Sequence, residues 1–176
     1  MTFPASSARL LIIDDDPTAR TLAANVLAAA GFDVIEAGDG AAGLAQFRAR
    51  RPELVLLDVM MPGMDGYEVC RALRAFEAAP RVPVIMLTGL DDTASIEKAF
   101  ESGATDFFAK PINAALLIHR VRYALRTKQV IEGADRQRAN LANAQRRARL
   151  ESWVCSVREI DINSSEIWLG ARRSPI

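Results

Sequence analysis

Reactive side chains follow four short apolar runs in this chain. Carboxylates follow the first two runs, a hydroxyl follows the third and an amine the fourth. Carboxylate oxygens are the ligands that a hard divalent cation prefers, and ammonium and hydroxyl groups bind phosphoryl oxygens. Together they predict metal-assisted phosphoryl chemistry. The run ends are Asp14-Asp15-Asp16 after Leu10–Ile13, Asp58 after Leu54–Leu57, Thr88 after Val84–Leu87, and Lys110-Pro111 after Asp106–Ala109.

These runs have the length and composition of strands that are covered by helices on both faces. Helix-like segments with turn residues at their ends separate them. The alternation predicts an α/β fold, a doubly wound five-stranded parallel sheet, with an extended C-terminal helix after Asn113. Besides the four runs, the predicted elements are a strand at Phe32–Ala37 and helices at Pro17–Ala30, Ala41–Arg50, Tyr67–Ala78 and Asp91–Ser102.

In such sheets ligands bind beyond the carboxyl ends of the strands, and in the order 2-1-3-4-5 the first and third strands are neighbours. The acids after the first strand and Asp58 after the third would then bind Mg²⁺ together. Asp58 could attack phosphorus in line, with Lys110 neutralising the phosphoryl oxygens and Thr88 donating a hydrogen bond. Each residue alone also has a simpler role as a cap, a turn residue or a solvated strand end. Their joint placement at four strand ends favours the functional interpretation.

Composition and charge narrow the class of protein. Of 176 residues, 50% are hydrophobic and 25% are charged, which is ordinary for a globular protein. Cys70 and Cys155 match no metal or redox spacing, and no membrane span or secretory signal is expected, so we expect a cytoplasmic protein. Residues 1–119 carry a net charge of −6, residues 120–150 one of +7, and residues 151–176 one of −1.

Four motifs resemble the receiver domain of two-component response regulators, in order and over residues 8–128. They are Ile12-Ile13-Asp14-Asp15-Asp16, Leu56-Leu57-Asp58-Val59-Met60-Met61-Pro62-Gly63-Met64-Asp65-Gly66, Met86-Leu87-Thr88-Gly89 and Lys110-Pro111. The resemblance implies the flavodoxin-like strand order 2-1-3-4-5. It implies Asp58 as the phosphorylated residue and Mg²⁺ as the cofactor, held by Asp15, Asp14, Asp58 and the carbonyl of Met60. Thr88 and Lys110 match the phosphoryl-contacting pair, and Gly89 matches the small residue that leaves the site open.

The same resemblance implies a function in signalling. It implies that the protein is a phosphoacceptor and not an enzyme that turns over a separate substrate. Asp58 would accept its phosphoryl group from a sensor histidine kinase or a phosphotransfer protein. Thr88 and Phe107 would then change position as the switch residues. Phe107 stands where many members of the family have tyrosine. Their movement would change the Asp91–Arg126 face and the C-terminal helix, which would control an output domain.

The helical pattern continues beyond the predicted domain. The spacing of apolar residues over 129–150 predicts a linker helix with a weak coiled-coil seam. A single helix exposed to solvent is an equal alternative. The seam residues are Val130, Ala134, Gln137, Leu141, Ala144 and Ala148. We expect a weak homodimer through residues 114–150 or through the face of the fourth and fifth helices.

Residues 151–176 alternate like short strands, at Trp153–Cys155, Ile160–Ile162 and Glu166–Leu169. Leu141–Trp153 resembles the helical lead-in and first strand of PAS sensory domains. We therefore expect either the fragment of a PAS-like domain or a short tail. In regulators so built, cyclic-di-GMP turnover is one implied output.

Three alternatives remain. Asp14-Asp15-Asp16-Pro17-Thr18 also satisfies the D-x-D-x-T signature of haloacid-dehalogenase-type phosphatases. Those enzymes need a further acidic pair beyond another strand after the lysine, and nothing suitable follows Lys110. The basic stretch at 120–150 could attract nucleic acid, but no DNA-binding motif follows, so we do not expect a nucleic-acid partner. A receiver without phosphorylation would keep only an interaction role, and the full set of acceptor residues argues against it.

Overall fold

The computed structural model describes residues 8–76, 82–89 and 93–170, with side chains to residue 147. The chain divides into two compact units, Met1–Gln129 and Val130–Ile176. Strands and helices alternate through the first unit. Their bounds are β1 Arg9–Ile13, α1 Pro17–Ala29, β2 Asp33–Ala37, α2 Gly40–Arg50, β3 Leu54–Asp58, α3 Gly66–Arg74, β4 Val84–Thr88, α4 Thr93–Glu101, β5 Asp106–Ala109 and α5 Ala114–Gly170.

The five strands form one parallel sheet in the order β2-β1-β3-β4-β5. The predicted fold class and strand order are therefore confirmed. The apolar runs of β1, β3 and β4 are buried on both faces, because successive side chains point to opposite sides of a sheet that helices cover on each side. Leu11, Val55 and Met86 belong to one core cluster, with side chains from α2 and α3. Leu10, Leu56 and Ile85 belong to the other, with side chains from α1 and α5.

Local signals set several helix ends. Pro17 is the first residue of α1, and the Asp16 carboxylate accepts a hydrogen bond from the Thr18 amide at 2.8 Å, which caps the helix. Asn113 caps α5 in the same way through the Leu116 amide at 3.1 Å. The prediction for α3 was too long. This helix ends at Arg74, and the ring of Phe76 stacks on Phe47 at 5.9 Å between ring centroids.

The prediction of short strands after residue 150 was wrong. Residues 151–170 continue α5 as a helix, so Trp153, Ile160 and Ile167 do not begin strands. A strand needs a hydrogen-bonded partner, and a lone hairpin is marginal in water. The helix α5 runs through Gly133 without a break. Within the described residues, no helix is both long and apolar enough to span a membrane.

Candidate functional site

The acids of two neighbouring strands meet at the carboxyl edge of the sheet. Ile13 of β1 pairs with Leu57 of β3, so Asp14 and Asp58 follow at the same level. One carboxylate oxygen from each of Asp14, Asp15 and Asp58 lies within 4.8 Å of the others. Asp14 and Asp58 are buried and Asp15 is exposed, so the cluster is open to solvent on one side.

Lys110 supplies the positive charge at this cluster. Its Nζ lies 2.8 Å from Asp58 Oδ1 and 3.0 Å from Asp14 Oδ2. The Lys110 amide donates to the Thr88 carbonyl at 2.7 Å, which extends the β4–β5 pairing to the site. The peptide bond between Lys110 and Pro111 is cis. Lys110 thus contacts both Asp14, a buried candidate metal ligand, and Asp58, the predicted phosphoacceptor.

Thr88 ends β4 beside the acceptor strand. Asp58 pairs with Leu87, so the buried Thr88 lies one residue beyond that level. A Cβ at Gly89 would meet no atom within 4 Å, so the backbone after Thr88 borders open space. The structure thus brings Thr88 to the same edge as Asp58 and Lys110.

Burial and charge shift the acid–base equilibria of the central pair. Burial raises the pKa of Asp58, and the nearby Asp14 and Asp15 charges add to this, while Lys110 opposes it. For Lys110 burial favours the neutral amine, but hydrogen bonds to Asp58 and Asp14 outweigh it and raise the pKa of the ammonium group. A divalent cation would relieve the repulsion among the carboxylates.

The backbone of the first acid is held on several sides. The Asp14 amide donates to the Ala37 carbonyl at 3.2 Å, and its Oδ1 accepts from the Asp16 amide at 2.9 Å. Arg20 Nη1 donates to the Asp14 carbonyl at 2.6 Å. The sequence predictions did not include Arg20. No local pattern singles it out, because its contact depends on how α1 lies across the strand ends.

The loop after β3 returns tightly to the acceptor. The Gly66 amide donates to the Val59 carbonyl at 3.0 Å, and the Asp65 side chain caps α3 with Glu68 in a capping box. The side chain of Met60, predicted as a backbone ligand, is 66% exposed. The type of side chain at position 60 can thus vary while the backbone of the loop stays fixed.

Substituting Gly66 by alanine is expected to destabilise the protein by about 1–3 kcal/mol, the usual cost of overpacking. A Cβ there would collide with the Asp58 carbonyl oxygen and come within 2.8 Å of the Val59 Cα. Gly133→Ala is the control, because a Cβ there meets nothing within 4 Å. Urea unfolding of the purified variants measures the difference. Equal unfolding free energies for Gly66→Ala and the wild type would contradict this close approach.

Phe107, the predicted switch residue, is half-buried on β5. Its ring meets that of Phe100 edge to face, with 6.1 Å between centroids and an interplanar angle of 85°. Beside it, the Asp106 carboxylate pairs with Arg120 of α5 at 2.9 Å. These contacts link α4, β5 and α5 within the predicted face. Asp91 and Asp92, which the prediction placed at its start, lie outside the described residues.

Comparison with known proteins decides the family. Residues 10–122 match the family model described as the response regulator receiver domain. The chain belongs to this family. Receiver domains bind Mg²⁺ at an acidic pocket, and the cluster of Asp14, Asp15 and Asp58 has the oxygen ligands for it. The phosphatase alternative lacks support, because its second acid, Asp16, caps α1.

Two groups of relatives show how far the similarity extends. The DNA-binding response regulator MtrA of Mycolicibacterium smegmatis is 45% identical over 121 residues, which are 69% of this chain and 52% of MtrA. The response regulator PleD of Caulobacter vibrioides is 42% identical over 135 residues, 76% of this chain and 30% of PleD. The chain therefore spans about half or less of the length of these relatives.

Solved structures agree in fold. A putative response regulator from Chloroflexus aurantiacus matches with a TM-score of 0.66 and 36% identity, over 69% of this chain and 99% of that one. The receiver domain of a histidine kinase from Syntrophus aciditrophicus matches with a TM-score of 0.64 and 32% identity, over 69% of this chain and 92% of that one. Both match 69% of this chain and support the same fold.

Proposed function

We propose that this receiver accepts a phosphoryl group on Asp58, in a Mg²⁺-dependent reaction with a sensor histidine kinase or a phosphotransfer protein as donor. One observation carries the proposal: the ammonium group of Lys110 bridges the buried Asp58 and Asp14 at 2.8 and 3.0 Å. A nucleophilic carboxylate, a cation for the phosphoryl oxygens and a set of metal ligands thus share one edge of the sheet.

The carboxylates of Asp14, Asp15 and Asp58 and the carbonyl of Met60 would hold Mg²⁺. When bound, the metal supplies positive charge that offsets the charge building up on the phosphoryl oxygens. An oxygen of Asp58 attacks phosphorus, the new P–O bond replaces the bond to the donor, and the donor leaves with that electron pair. Lys110 pairs with a phosphoryl oxygen as its contact with Asp58 loosens, and the Thr88 hydroxyl donates to another.

The product can act as a switch because phosphorylation adds about two negative charges at a buried position. Thr88 would move toward the new charge, and the half-buried Phe107 would follow into the vacated space. The Phe100 contact and the Asp106–Arg120 ion pair would carry the change to α4 and α5. The protein would thus be a phosphoacceptor in signalling whose only chemistry is self-catalysed phosphotransfer and dephosphorylation.

The long helix α5 is the element through which this receiver would act on an output domain. The helix leaves the receiver and continues through the second unit. Homodimerisation through residues 114–150 would be one way for it to act, and cyclic-di-GMP turnover is one output that the PAS-like resemblance suggests. Light scattering with and without a phosphoryl mimic tests the dimer, and a constant monomer would contradict it.

Acetyl phosphate and Mg²⁺ should add one phosphoryl group to the wild-type protein, read as intact mass. Asp58→Asn should remove the adduct, because the amide is a poor nucleophile. Asp39→Asn is the control, since Asp39 caps α2 through the Ala42 amide and asparagine caps equally well. A chelator should also abolish the adduct. An adduct of equal yield on Asp58→Asn would exclude Asp58 as the acceptor.

A further inference from the structure

Arg20 of α1 lies beside the acid cluster without belonging to it. Its Nη1 donates to the Asp14 carbonyl at 2.6 Å, and its Nε lies 3.4 Å from Glu36 Oε2. The side chain is only 19% exposed. A Cβ at Gly38 would come within 3.4 Å of Nη1, so the guanidinium group lies close over the end of β2. Arg20 thus joins α1 to the carboxyl ends of β1 and β2.

The hydrogen bond from Arg20 fixes one particular peptide group. The Asp14 amide and both its carboxylate oxygens already have partners, in Ala37, Asp16 and Lys110. The Arg20 bond completes this set at the carbonyl. Because a peptide group is planar, holding the Asp14 carbonyl also sets the direction in which the Asp15 backbone begins. Asp15 is the exposed acid of the cluster, so its position depends strongly on its backbone.

We propose that Arg20 is a positioning residue of the metal site, which aims Asp15 at the ion through the Asp14–Asp15 peptide. The inference rests on the proposed function only in that the acid cluster holds Mg²⁺. A free cation so close would repel the metal. Glu36 balances the charge of Arg20, so the contribution of Arg20 is mainly geometric.

The test compares Mg²⁺ affinity in charge-matched proteins. The double variant Arg20→Met/Glu36→Gln keeps the net charge and removes the tie to the Asp14 carbonyl. Titration calorimetry on the full chain should show Mg²⁺ binding weakened about tenfold, as for other residues that orient metal ligands. Arg20→Met alone should weaken it less, because the unpaired Glu36 then attracts the cation. Arg20→Lys should be intermediate, since one amine can still reach the carbonyl.

Arg9 provides a matched control at the opposite edge of the same two strands. Its Nε pairs with Asp33 at 2.7 Å, and its Nη1 donates to the Arg50 carbonyl at 3.1 Å. The double variant Arg9→Met/Asp33→Asn therefore removes the same kinds of contact far from the site. It should lower stability by a similar amount and leave Mg²⁺ affinity unchanged.

Hydrogen exchange without metal gives an independent readout. In chelator, the amides of residues 14–16 should exchange faster in Arg20→Met/Glu36→Gln than in the wild type, and not in the Arg9 control. The inference fails if the Arg20 double variant binds Mg²⁺ as tightly as the wild type. It also fails if the Arg9 control weakens binding equally. If the wild type itself binds no Mg²⁺, the proposed function falls together with this inference.

Discussion

Replacing Lys110 by methionine is expected to slow phosphorylation of Asp58 by about 100-fold, the usual effect of removing one group that stabilises a developing oxyanion. Lys110 contacts the acceptor at 2.8 Å, so its ammonium group is already placed for the phosphoryl oxygens. The same change should strengthen Mg²⁺ binding, because it removes a positive charge from a cluster of three carboxylates. A rate that falls while metal affinity rises is a distinctive result.

The variant should also be less stable without metal. Removing one partner of a buried ion pair leaves uncompensated charge and costs about 3 kcal/mol, and Lys110 holds both Asp58 and Asp14. Mg²⁺ should restore much of this stability. Acetyl phosphate kinetics, calorimetry and urea unfolding with and without Mg²⁺ measure the three effects.

The matched control is Lys98→Met. Lys98 is 54% exposed, lies 3.9 Å from Asp65 and stacks over the ring of Tyr67, outside the acid cluster. It should keep the wild-type phosphorylation rate and the wild-type response to Mg²⁺. If Asp58 were phosphorylated as fast in Lys110→Met as in Lys98→Met, the role assigned to Lys110 would be wrong.

Substituting Asp15 by asparagine is expected to weaken Mg²⁺ binding by at least tenfold, since even residues that only orient metal ligands cost this much. Asp15 is exposed and contributes an oxygen to the cluster, so we assign it to the metal and not to the fold. The variant should unfold at the same or higher denaturant concentration than the wild type, because one of three repelling charges is gone.

Its neighbour gives the control. Asp16 is also exposed, but its carboxylate caps α1 through the Thr18 amide at 2.8 Å. Asparagine is as good an N-cap as aspartate, so Asp16→Asn should keep both stability and Mg²⁺ affinity. Calorimetry on the two variants separates adjacent acids of the same type. Equal loss of affinity in both would show that charge alone, and not ligand position, holds the ion.

The sequence was sufficient to predict the sheet and the residues at its carboxyl edge. Apolar runs of four residues between helical segments allow few arrangements, and parallel strands bring their carboxyl ends to one edge. With the strand order that the receiver resemblance implies, Asp14, Asp58, Thr88 and Lys110 were expected to lie close together. That prediction needed no knowledge of side-chain packing.

Contacts between elements that are distant in the sequence could not be predicted in this way. Arg20 reaches the Asp14 carbonyl only because α1 crosses the ends of β1 and β2. Gly66 is constrained by a loop that returns to the Asp58 carbonyl, and nothing in its neighbouring residues shows this. The alternation of apolar and polar residues near Ile160 led to a wrong prediction of strands. The pattern of a strand was present without a partner strand, and the segment is helical.

The most direct measurement is to locate the phosphoryl group on the chain. After reaction with acetyl phosphate and Mg²⁺, borohydride reduces an aspartyl phosphate to homoserine, which peptide mass spectrometry can place. The structure predicts conversion at Asp58 alone, because Lys110 contacts it and Thr88 ends the adjacent strand. Conversion at Asp14, Asp15 or Asp65, or none in protein that binds Mg²⁺, would contradict the assignment of Asp58 as the phosphoacceptor.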